Sequence, residues 1–187
     1  MGERDHPWKT DWSVTRVLQT RWPLPPFIPP EALERGSRVH AYTEELDRGA
    51  VITPDADVAG WVDAYRDFSA QLRPTWELRE HVMEDLEANV HGILDCMGYL
   101  SGHEQPCVLD IKTGGDRVNT SNPAHAIQTA AYAWLYDRKD YLSYARYGLY
   151  LRRCGKWRMK TFDNPNDFRT WEQLLHDAQQ GTSDANR

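Results

Sequence analysis

The sequence predicts a single domain that combines α-helices with β-hairpins, and three observations lead to this prediction. Apolar side chains recur at helical spacing in four long segments, which predict amphipathic helices over residues 30–47, 56–72, 122–139 and 163–178. Pairs of short apolar runs, separated by polar breaks that contain glycine, predict hairpins over residues 92–112 and 144–162. The 187 residues suffice for one domain with a sizeable core. We expect that domain to span residues 1–187, with flexible ends at 1–12 and 181–187.

The shorter elements are justified by local chemistry. Residues 12–19 place three apolar side chains at helical spacing and predict a short helix. The proline-rich segment 22–30 cannot be helical, because proline lacks a backbone donor and restricts the residue before it. Asp55 is the expected N-cap of the second long helix. Residues 75–83 alternate as a β-strand does, and loop residues 113–116 follow the first hairpin.

The composition describes an ordinary acidic protein. The net charge is −6, the mean hydropathy is −0.73, and no apolar run approaches the roughly 20 residues that span a bilayer. Because no apolar signal-peptide core follows Met1–His6, we expect a cytoplasmic protein. Cys96 and Cys107 lie in apolar runs and are expected to be buried thiols. Three cysteines without a CxxC pair cannot supply the ligands of an iron–sulfur cluster, so we expect none.

The charge is unevenly distributed along the chain. Residues 44–87 carry twelve acids and four bases, whereas residues 138–160 carry eight bases and a single acid, interleaved with tyrosines and a tryptophan. A basic stretch with aromatic side chains can hold a phosphate backbone and stack bases, which is one interpretation. In the other, the aromatic side chains are core and the bases are solvated. The basic residues that the first interpretation assigns to DNA are Arg152, Arg153 and Lys156, with Arg16 and Arg21 from the N-terminal helix.

The first hairpin brings acidic residues together. If its five-residue loop, 101–105, centres on His103, antiparallel pairing sets Asp95 directly across from Asp110. Like charges directly opposed on one face destabilise a sheet, unless a cation lies between the carboxylates. Lys112 is two residues beyond Asp110 and therefore shares its face. The hairpin thus predicts a metal site with an amine beside it.

Four short motifs that contain these residues resemble those of the RecB-like PD-(D/E)XK nucleases. Gly92–Asp95 is similar to the GxxD motif, Asp110–Lys112 to (D/E)xK and Gln128–Tyr132 to QxxxY. Gly36–His40 is similar to the GxxxH motif that precedes them in that family. The resemblance implies an α/β fold with the restriction-endonuclease-like core of this superfamily, a mixed β-sheet flanked by helices on both sides. It also implies DNA hydrolysis, most often exonucleolytic, as in small phage and RecB-type exonucleases of DNA recombination and processing.

The resemblance assigns roles to particular residues. It implies a Mg²⁺ or Mn²⁺ site whose ligands are His40, Asp95, Asp110 and the carbonyl of Ile111, with Glu77 or Glu80 as an assisting acid. The implied catalytic residues are Lys112, Asp95, Asp110, Gln128 and Tyr132. Lys112 would position or deprotonate the attacking water, while Gln128 and Tyr132, four apart on one helix face, would orient it. DNA is the implied partner, and a recombination or single-strand-annealing protein and a homo-oligomer are compatible with the resemblance.

Several readings stay open at this point. The (D/E)xK position holds Asp110 where Glu is more usual, which shortens the side chain by one methylene. An exonuclease is favoured over an endonuclease that uses the same site, and over a non-catalytic DNA-binding module with the nuclease fold. A small-molecule phosphoesterase is disfavoured, because residues 113–115 do not continue into a phosphate-cradling Walker pattern.

Overall fold

The structure is a computed structural model that describes residues 8–26, 28–114, 120 and 122–185. The helices are α1 (Val14–Arg21), α2 (Pro30–Asp47), α3 (Ala59–Leu72), α4 (Pro123–Tyr136) and α5 (Asn166–Ala185). The strands are β1 (Trp12–Ser13), β2 (Thr75–Asp85), β3 (Val90–Tyr99), β4 (Cys107–Gly114), β5 (Ala145–Arg152) and β6 (Trp157–Thr161). Among these residues, none of the helices combines the length and the apolar character that crossing a membrane requires.

The six strands form one mixed sheet in which β3 is central. β2 pairs antiparallel with one edge of β3 along its length. The other edge is shared, since β1 pairs parallel with its beginning and β4 pairs antiparallel near its end. β5 then runs parallel to β4, and β6 runs antiparallel to β5. Between β1 and β4, residues 92–95 of β3 are left without a paired strand of the described chain on that edge.

Helices cover both faces of the sheet. Helices α1, α4 and α5 enclose the α4-side core, which contains Leu94, Met97, Val108 and Trp171. Helices α2 and α3 enclose the α2-side core, which contains Val39, Phe68, Leu109 and Leu149. The α/β architecture expected from the resemblance, a mixed sheet flanked by helices on both sides, is confirmed.

The first hairpin has the predicted register and a longer loop than predicted. Cys96 pairs with Leu109, and this register places Asp95 opposite Asp110. The loop has seven residues, Leu100–Pro106, instead of five. The Leu100 carbonyl accepts from the His103 N–H within the loop, and Pro106 has no backbone N–H to donate, so neither residue extends the ladder.

Several predicted boundaries are wrong by a few residues, for local reasons. Trp12 and Ser13 are strand residues, and the Ser13 hydroxyl caps α1 by accepting from the Arg16 N–H at 3.1 Å. The N-cap of α3 is Val58 and not Asp55, whose carbonyl accepts from the Val58 and Ala59 N–H groups in the preceding turn. β2 continues to Asp85 beyond the predicted residue 83, and α4 ends at Tyr136 before the predicted 139.

Parts of the two chain ends that were predicted to be flexible lie within the described residues. Residues 1–7 lie outside the described residues, but Trp8 stacks on His91 with ring centroids 3.9 Å apart, and Thr10 is buried. Helix α5 begins later than predicted, at Asn166, and continues to Ala185, where a frayed tail was expected from Gly181.

The loop predicted after the first hairpin, residues 113–116, is only partly described. Residues 113 and 114 belong to β4, and residues 115 and 116 are outside the described part. Cys96 and Cys107 are buried, as predicted, while Cys154 is exposed.

Candidate active site

Strands β2 and β3 depart from regular alternation where the acidic residues lie. Leu94 and Met97 are three residues apart yet both enter the α4-side core, whereas a regular strand returns to one face every second residue. The pairing register places Glu80 opposite Asp95, and Glu80 has a left-handed backbone with φ +45°. A left-handed non-glycine residue costs on the order of 1–3 kcal/mol and persists only when its surroundings hold it. The acids of both strands are therefore placed by a distortion of the sheet.

The first group of polar side chains, which we call the lysine cluster, consists of Asp110, Lys112, Gln128 and Tyr132. Lys112 Nζ lies 2.9 Å from Asp110 Oδ1 and 2.7 Å from Oδ2, and donates to Gln128 Oε1 at 2.9 Å. Gln128 Nε2 in turn donates to the Tyr132 hydroxyl at 3.0 Å. The lysine ammonium is therefore held between a buried carboxylate and a side chain of α4.

Helix α4 can present this pair because it starts and packs in a defined way. Asn122 caps it by accepting from the Ala124 N–H at 3.0 Å, and Pro123 occupies its first turn. Gln128 and Tyr132 are four residues apart and so face the sheet together. Tyr132 approaches β3 at Gly92, where an added Cβ would lie 3.0 Å from the ring. The glycine of the GxxD motif has no side chain and thus leaves room for the tyrosine ring of the QxxxY motif.

Asp95 links the lysine cluster to the neighbouring strand. Its Oδ2 accepts a hydrogen bond from the Ile111 N–H at 2.6 Å. Beyond the last paired residues, Cys96 and Leu109, the Asp95 side chain therefore replaces a backbone acceptor between β3 and β4. Burial raises the pKa of Asp110, Lys112 lowers it and the nearby Asp95 carboxylate raises it further, leaving the pKa above its usual range. Asp95 and Asp110 are brought together as the sequence predicted.

The second group, which we call the histidine cluster, consists of His40, Glu80 and Asp95. His40 Nδ1 lies 2.9 Å from Glu80 Oε1 and 3.9 Å from Asp95 Oδ1. Removal from water lowers the pKa of His40, but the carboxylates of Asp95 and Glu80 outweigh this effect and raise the pKa to about 9. Three elements, α2, β2 and β3, contribute one side chain each.

The donor set of the histidine cluster fits a divalent metal ion. One imidazole nitrogen and two carboxylate oxygens lie within 4.8 Å of one another. Nearby, Asp110 Oδ2 is buried and has no donor aligned with it, although Lys112 Nζ is 2.7 Å away. Carboxylate oxygens suit Mg²⁺ and Mn²⁺, and an imidazole nitrogen shifts the preference toward Mn²⁺.

The structure groups the predicted ligands differently from the expectation. His40 and Asp95 meet as predicted, but the third member of their cluster is Glu80, while Asp110 faces Lys112. Glu77, the other acid suggested on this strand, is exposed at the bulge between Trp76 and Leu78. The role of the Ile111 carbonyl as a ligand stays a prediction.

A cleft of about 350 Å³ gives access to the histidine cluster. It opens between α1 and α2, and its floor is formed by β3 and by Tyr132. Beyond the cluster itself, its lining residues include Thr15, Ser37, Glu44 and Ile93. A substrate that enters this cleft meets the three donors and Tyr132 together.

His125 extends the polar surface of α4 beside Lys112. Its Nδ1 lies 2.9 Å from the hydroxyl of the buried Tyr150. Burial lowers the pKa of His125, and repulsion by Lys112 lowers it further, to about 4. The two histidines near the site therefore differ, because His40 favours the protonated form and His125 the neutral one.

The basic stretch of residues 138–160 contributes several side chains to the core. Tyr147 and Tyr150 are buried, so for these two side chains the core interpretation is correct and base stacking is wrong. Arg146 is buried as well and donates to the carbonyls of Ala126 and Asn164 and to Asp167. The DNA contacts assigned to Arg152, Arg153 and Lys156, around the β5–β6 turn, stay a prediction.

The two N-terminal arginines lie in different surroundings. Arg16 donates to the Asp11 carbonyl at 3.1 Å and lies over the Trp12 ring, 4.6 Å from its centroid. Arg21 is exposed and lines a second cleft between α1 and α5, near Asp177. Contact of either arginine with DNA stays a prediction.

Sequence patterns did not indicate how the histidine cluster is supported. Arg79 and Thr43 lie directly behind it, and neither is a defining position of the four motifs. Of the two acids suggested on β2, Glu77 and Glu80, regular alternation places one on each face of the sheet, but it does not show which face meets His40. The only direct signal is the left-handed φ of Glu80, which a sequence does not show.

Comparisons with known proteins agree with this architecture. The family model of the PD-(D/E)XK nuclease superfamily matches residues 9–186. No curated protein matches the chain. A solved structure named "Putative exonuclease" from Eubacterium rectale is similar, with a TM-score of 0.55 and 11% identity over 94% of this chain and 82% of its own. The crystal structure of SSO0001 gives a TM-score of 0.49 and 15% identity, over 95% of this chain and 79% of its own.

Proposed function

Because the chain belongs to the PD-(D/E)XK nuclease superfamily, we propose that it is a divalent-metal-dependent deoxyribonuclease that digests DNA from an end. The observation that carries the proposal is the adjacency of the two clusters. Asp95 belongs to the histidine cluster and also bonds to the backbone beside Asp110 and Lys112. Asp95 thus connects the proposed metal donors with the part of β4 that holds the Lys112 ammonium group.

The histidine cluster is the proposed metal site. His40, Glu80 and Asp95 would hold the ion, with Asp110 and the Ile111 carbonyl as the further oxygen donors that the motifs imply. The chemistry that Mg²⁺ or Mn²⁺ would supply there is polarisation of the phosphodiester and compensation of the negative charge that develops on it. No donor in the set is a thiolate, in keeping with a hard cation.

The lysine cluster is the proposed catalytic machinery. The Lys112 ammonium would donate to the attacking water or to a phosphate oxygen, where it stabilises the charge of the transition state. Asp110 and Gln128 fix the direction of its amine, and Tyr132 fixes Gln128. Such a preorganised donor needs little rearrangement during the reaction, which is why its position matters more than its charge alone.

Digestion from an end is the finer part of the proposal. It is supported by the motif resemblance to RecB-like exonucleases and by the name of the Eubacterium rectale protein of similar fold. On the same grounds we propose a role in DNA recombination or processing. An endonuclease would share the site, so only the products distinguish the two activities.

The test is a cleavage assay on three substrates, which are end-labelled linear duplex, single strand and closed circular plasmid. Each is incubated with Mg²⁺, Mn²⁺ or EDTA, and Lys112→Ala is compared with the wild type. Lys139→Ala is the matched control, because it removes the same charge from an exposed position. We expect loss of linear DNA only, abolished by EDTA and by Lys112→Ala. Nicked plasmid would indicate an endonuclease, and bound but uncleaved DNA under all conditions would overturn the proposal in favour of a non-catalytic module.

A further inference from the structure

A largely buried arginine, Arg79, joins the backbones of two members of the histidine cluster. Arg79 Nη1 donates to the carbonyl of Asp95 at 2.9 Å and contacts the sulfur of Cys96. Its Nη2 donates to the hydroxyl of Thr43 at 2.9 Å. That hydroxyl donates in turn to the carbonyl of His40 at 2.8 Å. One guanidinium is therefore bonded directly to the Asp95 backbone and, through a single hydroxyl, to that of His40.

The distortion of β2 allows these contacts. Successive side chains of a regular strand point to opposite faces of the sheet, so only one of two neighbours can reach a given helix. The left-handed backbone of Glu80 breaks this rule. Arg79 and Glu80 consequently both reach α2, where Arg79 bonds to Thr43 and Glu80 to His40.

The charge of Arg79 is compensated within the same region. Its side chain is only 10% exposed, and its Nε lies 2.8 Å from Asp47 Oδ2, although the N–H is not aligned with that oxygen. The Tyr65 hydroxyl also donates to Asp47 Oδ2, at 2.7 Å. A buried ion pair of this kind is often no more stabilising than apolar side chains of similar volume. Stability alone therefore does not account for an arginine here, whereas its rigid fork of donors suits the fixing of geometry.

We propose that Arg79 is a positioning residue for metal binding, which sets the Asp95 segment of β3 against the His40 turn of α2. Thr43 is part of the same arrangement, because its hydroxyl accepts from Arg79 and donates to the carbonyl of His40. The metal donors come from three separate elements and must converge on one ion. Arg79 and Thr43 connect the backbone of β3 at Asp95 with the backbone of α2 at His40. The inference rests on the proposed function, since it assumes that the histidine cluster binds the metal.

The test measures Mn²⁺ affinity in the absence of DNA, from the electron paramagnetic resonance signal of free Mn²⁺. Loss of an outer-shell partner weakens metal binding about 10–100-fold, so we expect Arg79→Met to raise the Kd within this range. Arg79→Lys should fall between this variant and the wild type, because it keeps the charge but loses the fork. Thr43→Val should raise the Kd toward the lower end of the range, and it removes one hydroxyl without changing the shape of the side chain.

Thr129→Val is the matched control. Thr129 is as fully buried as Thr43 and donates to a carbonyl of its own helix, that of Ala126, at 2.9 Å. We expect its Kd to equal that of the wild type. Circular dichroism and thermal melting identify the variants that fold, and if Arg79→Met does not fold, Thr43→Val decides the question.

The outcomes separate this inference from the proposed function. His40→Ala and Glu80→Gln report whether the ion is bound at the histidine cluster at all. If neither raises the Kd for Mn²⁺, the metal site of the proposed function and the positioning role are both overturned. If they raise it while folded Arg79→Met or Thr43→Val binds as the wild type does, only the positioning role is overturned.

Discussion

The lysine cluster and the histidine cluster lie side by side but are built in different ways. Asp110 and Lys112 share one face of β4, and Gln128 and Tyr132 share one face of α4, so the lysine cluster uses regular secondary structure throughout. The histidine cluster is associated with a left-handed residue in β2, broken alternation in β3 and a largely buried arginine, Arg79. Regular geometry supplies the proposed catalytic amine, and strained geometry supplies the proposed metal donors.

This difference separates what each cluster is expected to control. A rigid ammonium group acts on the reacting phosphate, so its loss should lower turnover. Converging donors act on the ion, so their loss should lower metal affinity. Variants at Lys112 and variants at His40 or Glu80 should therefore differ in which of these two quantities they change.

The largest effect is expected for Lys112→Ala. Removal of a preorganised transition-state donor typically lowers kcat about 100- to 1,000-fold, and we expect at least that loss. The Kd for Mn²⁺ should not rise, because Lys112 is not a metal donor and its positive charge opposes a cation at the histidine cluster. Single-turnover cleavage and Mn²⁺ titration of the same preparation measure both quantities. Retention of wild-type turnover would contradict the role of Lys112, and Lys139→Ala controls for the loss of charge.

The next largest effect is expected for His40→Ala. Loss of a direct ligand should weaken Mn²⁺ binding at least as much as loss of an outer-shell partner, which is about 10–100-fold. Saturating Mn²⁺ should restore much of the turnover, in contrast with Lys112→Ala. His176→Ala, which changes an exposed histidine of α5, is the control. An unchanged Kd would remove His40 from the metal site.

A smaller effect concerns stability and pH, through His125. Its pKa in the folded protein is lowered to about 4, since burial and the charges of Lys112 and Lys160 outweigh the attraction of Asp110. The unfolded chain takes up this proton below about pH 6.5, whereas the folded protein does so only near pH 4. The free energy of unfolding should therefore decrease as the pH is lowered from about 6.5 to about 4, by at most about 1.4 kcal/mol per pH unit from this group.

His125→Gln should flatten that dependence, because the substituted side chain does not titrate. Urea unfolding of both proteins across the window gives the two slopes, and His176→Gln serves as the exposed control. Equal slopes for the wild type and His125→Gln would show that another group carries the dependence.

The smallest effects are expected at two glycines. An added Cβ at Gly92 would lie 3.0 Å from the Tyr132 ring and 3.1 Å from Val14, so Gly92→Ala should cost about 1–3 kcal/mol of stability. It should also lower turnover, because Tyr132 orients Gln128. At Gly181, which lies in α5, an added Cβ would have no neighbouring atom within 4 Å. Gly181→Ala should therefore raise stability by about 0.5–1 kcal/mol, because glycine is less favourable than alanine inside a helix. Denaturant unfolding measures both, and a stabilising Gly92→Ala would contradict the packing described.

The sequence predicted the lysine cluster well because its geometry is local. A hairpin centred on His103 fixes which residues oppose one another, and the period of two places Lys112 beside Asp110. The spacing of Gln128 and Tyr132 implies a shared helix face. These two relations follow from regular structure, whereas the role of Gln128 and Tyr132 beside Lys112 was expected only from the motif resemblance.

The sequence could not predict the support of the histidine cluster, because that support depends on tertiary packing. Thr43 and Arg79 are 36 residues apart, and their bond requires α2 to cross β2 at one particular place. A prediction from alternation assumes that Glu77 and Glu80 lie in a regular strand. In the structure, a bulge changes the direction of the strand at Glu77, and a left-handed backbone changes it at Glu80. The two-residue strand β1 is a similar case, since it exists only through pairing with distant β3.

The most direct test of the account asks whether the two clusters act as one nuclease site. Single-turnover cleavage of end-labelled linear DNA is measured over a range of Mn²⁺ concentrations, for the wild type and for Glu80→Gln. The account predicts that half-maximal cleavage by the wild type occurs near the Kd for Mn²⁺ measured without DNA. It also predicts that Glu80→Gln raises both values by the same factor. Cleavage that persists in EDTA, or a half-maximal concentration unchanged by Glu80→Gln, would contradict it.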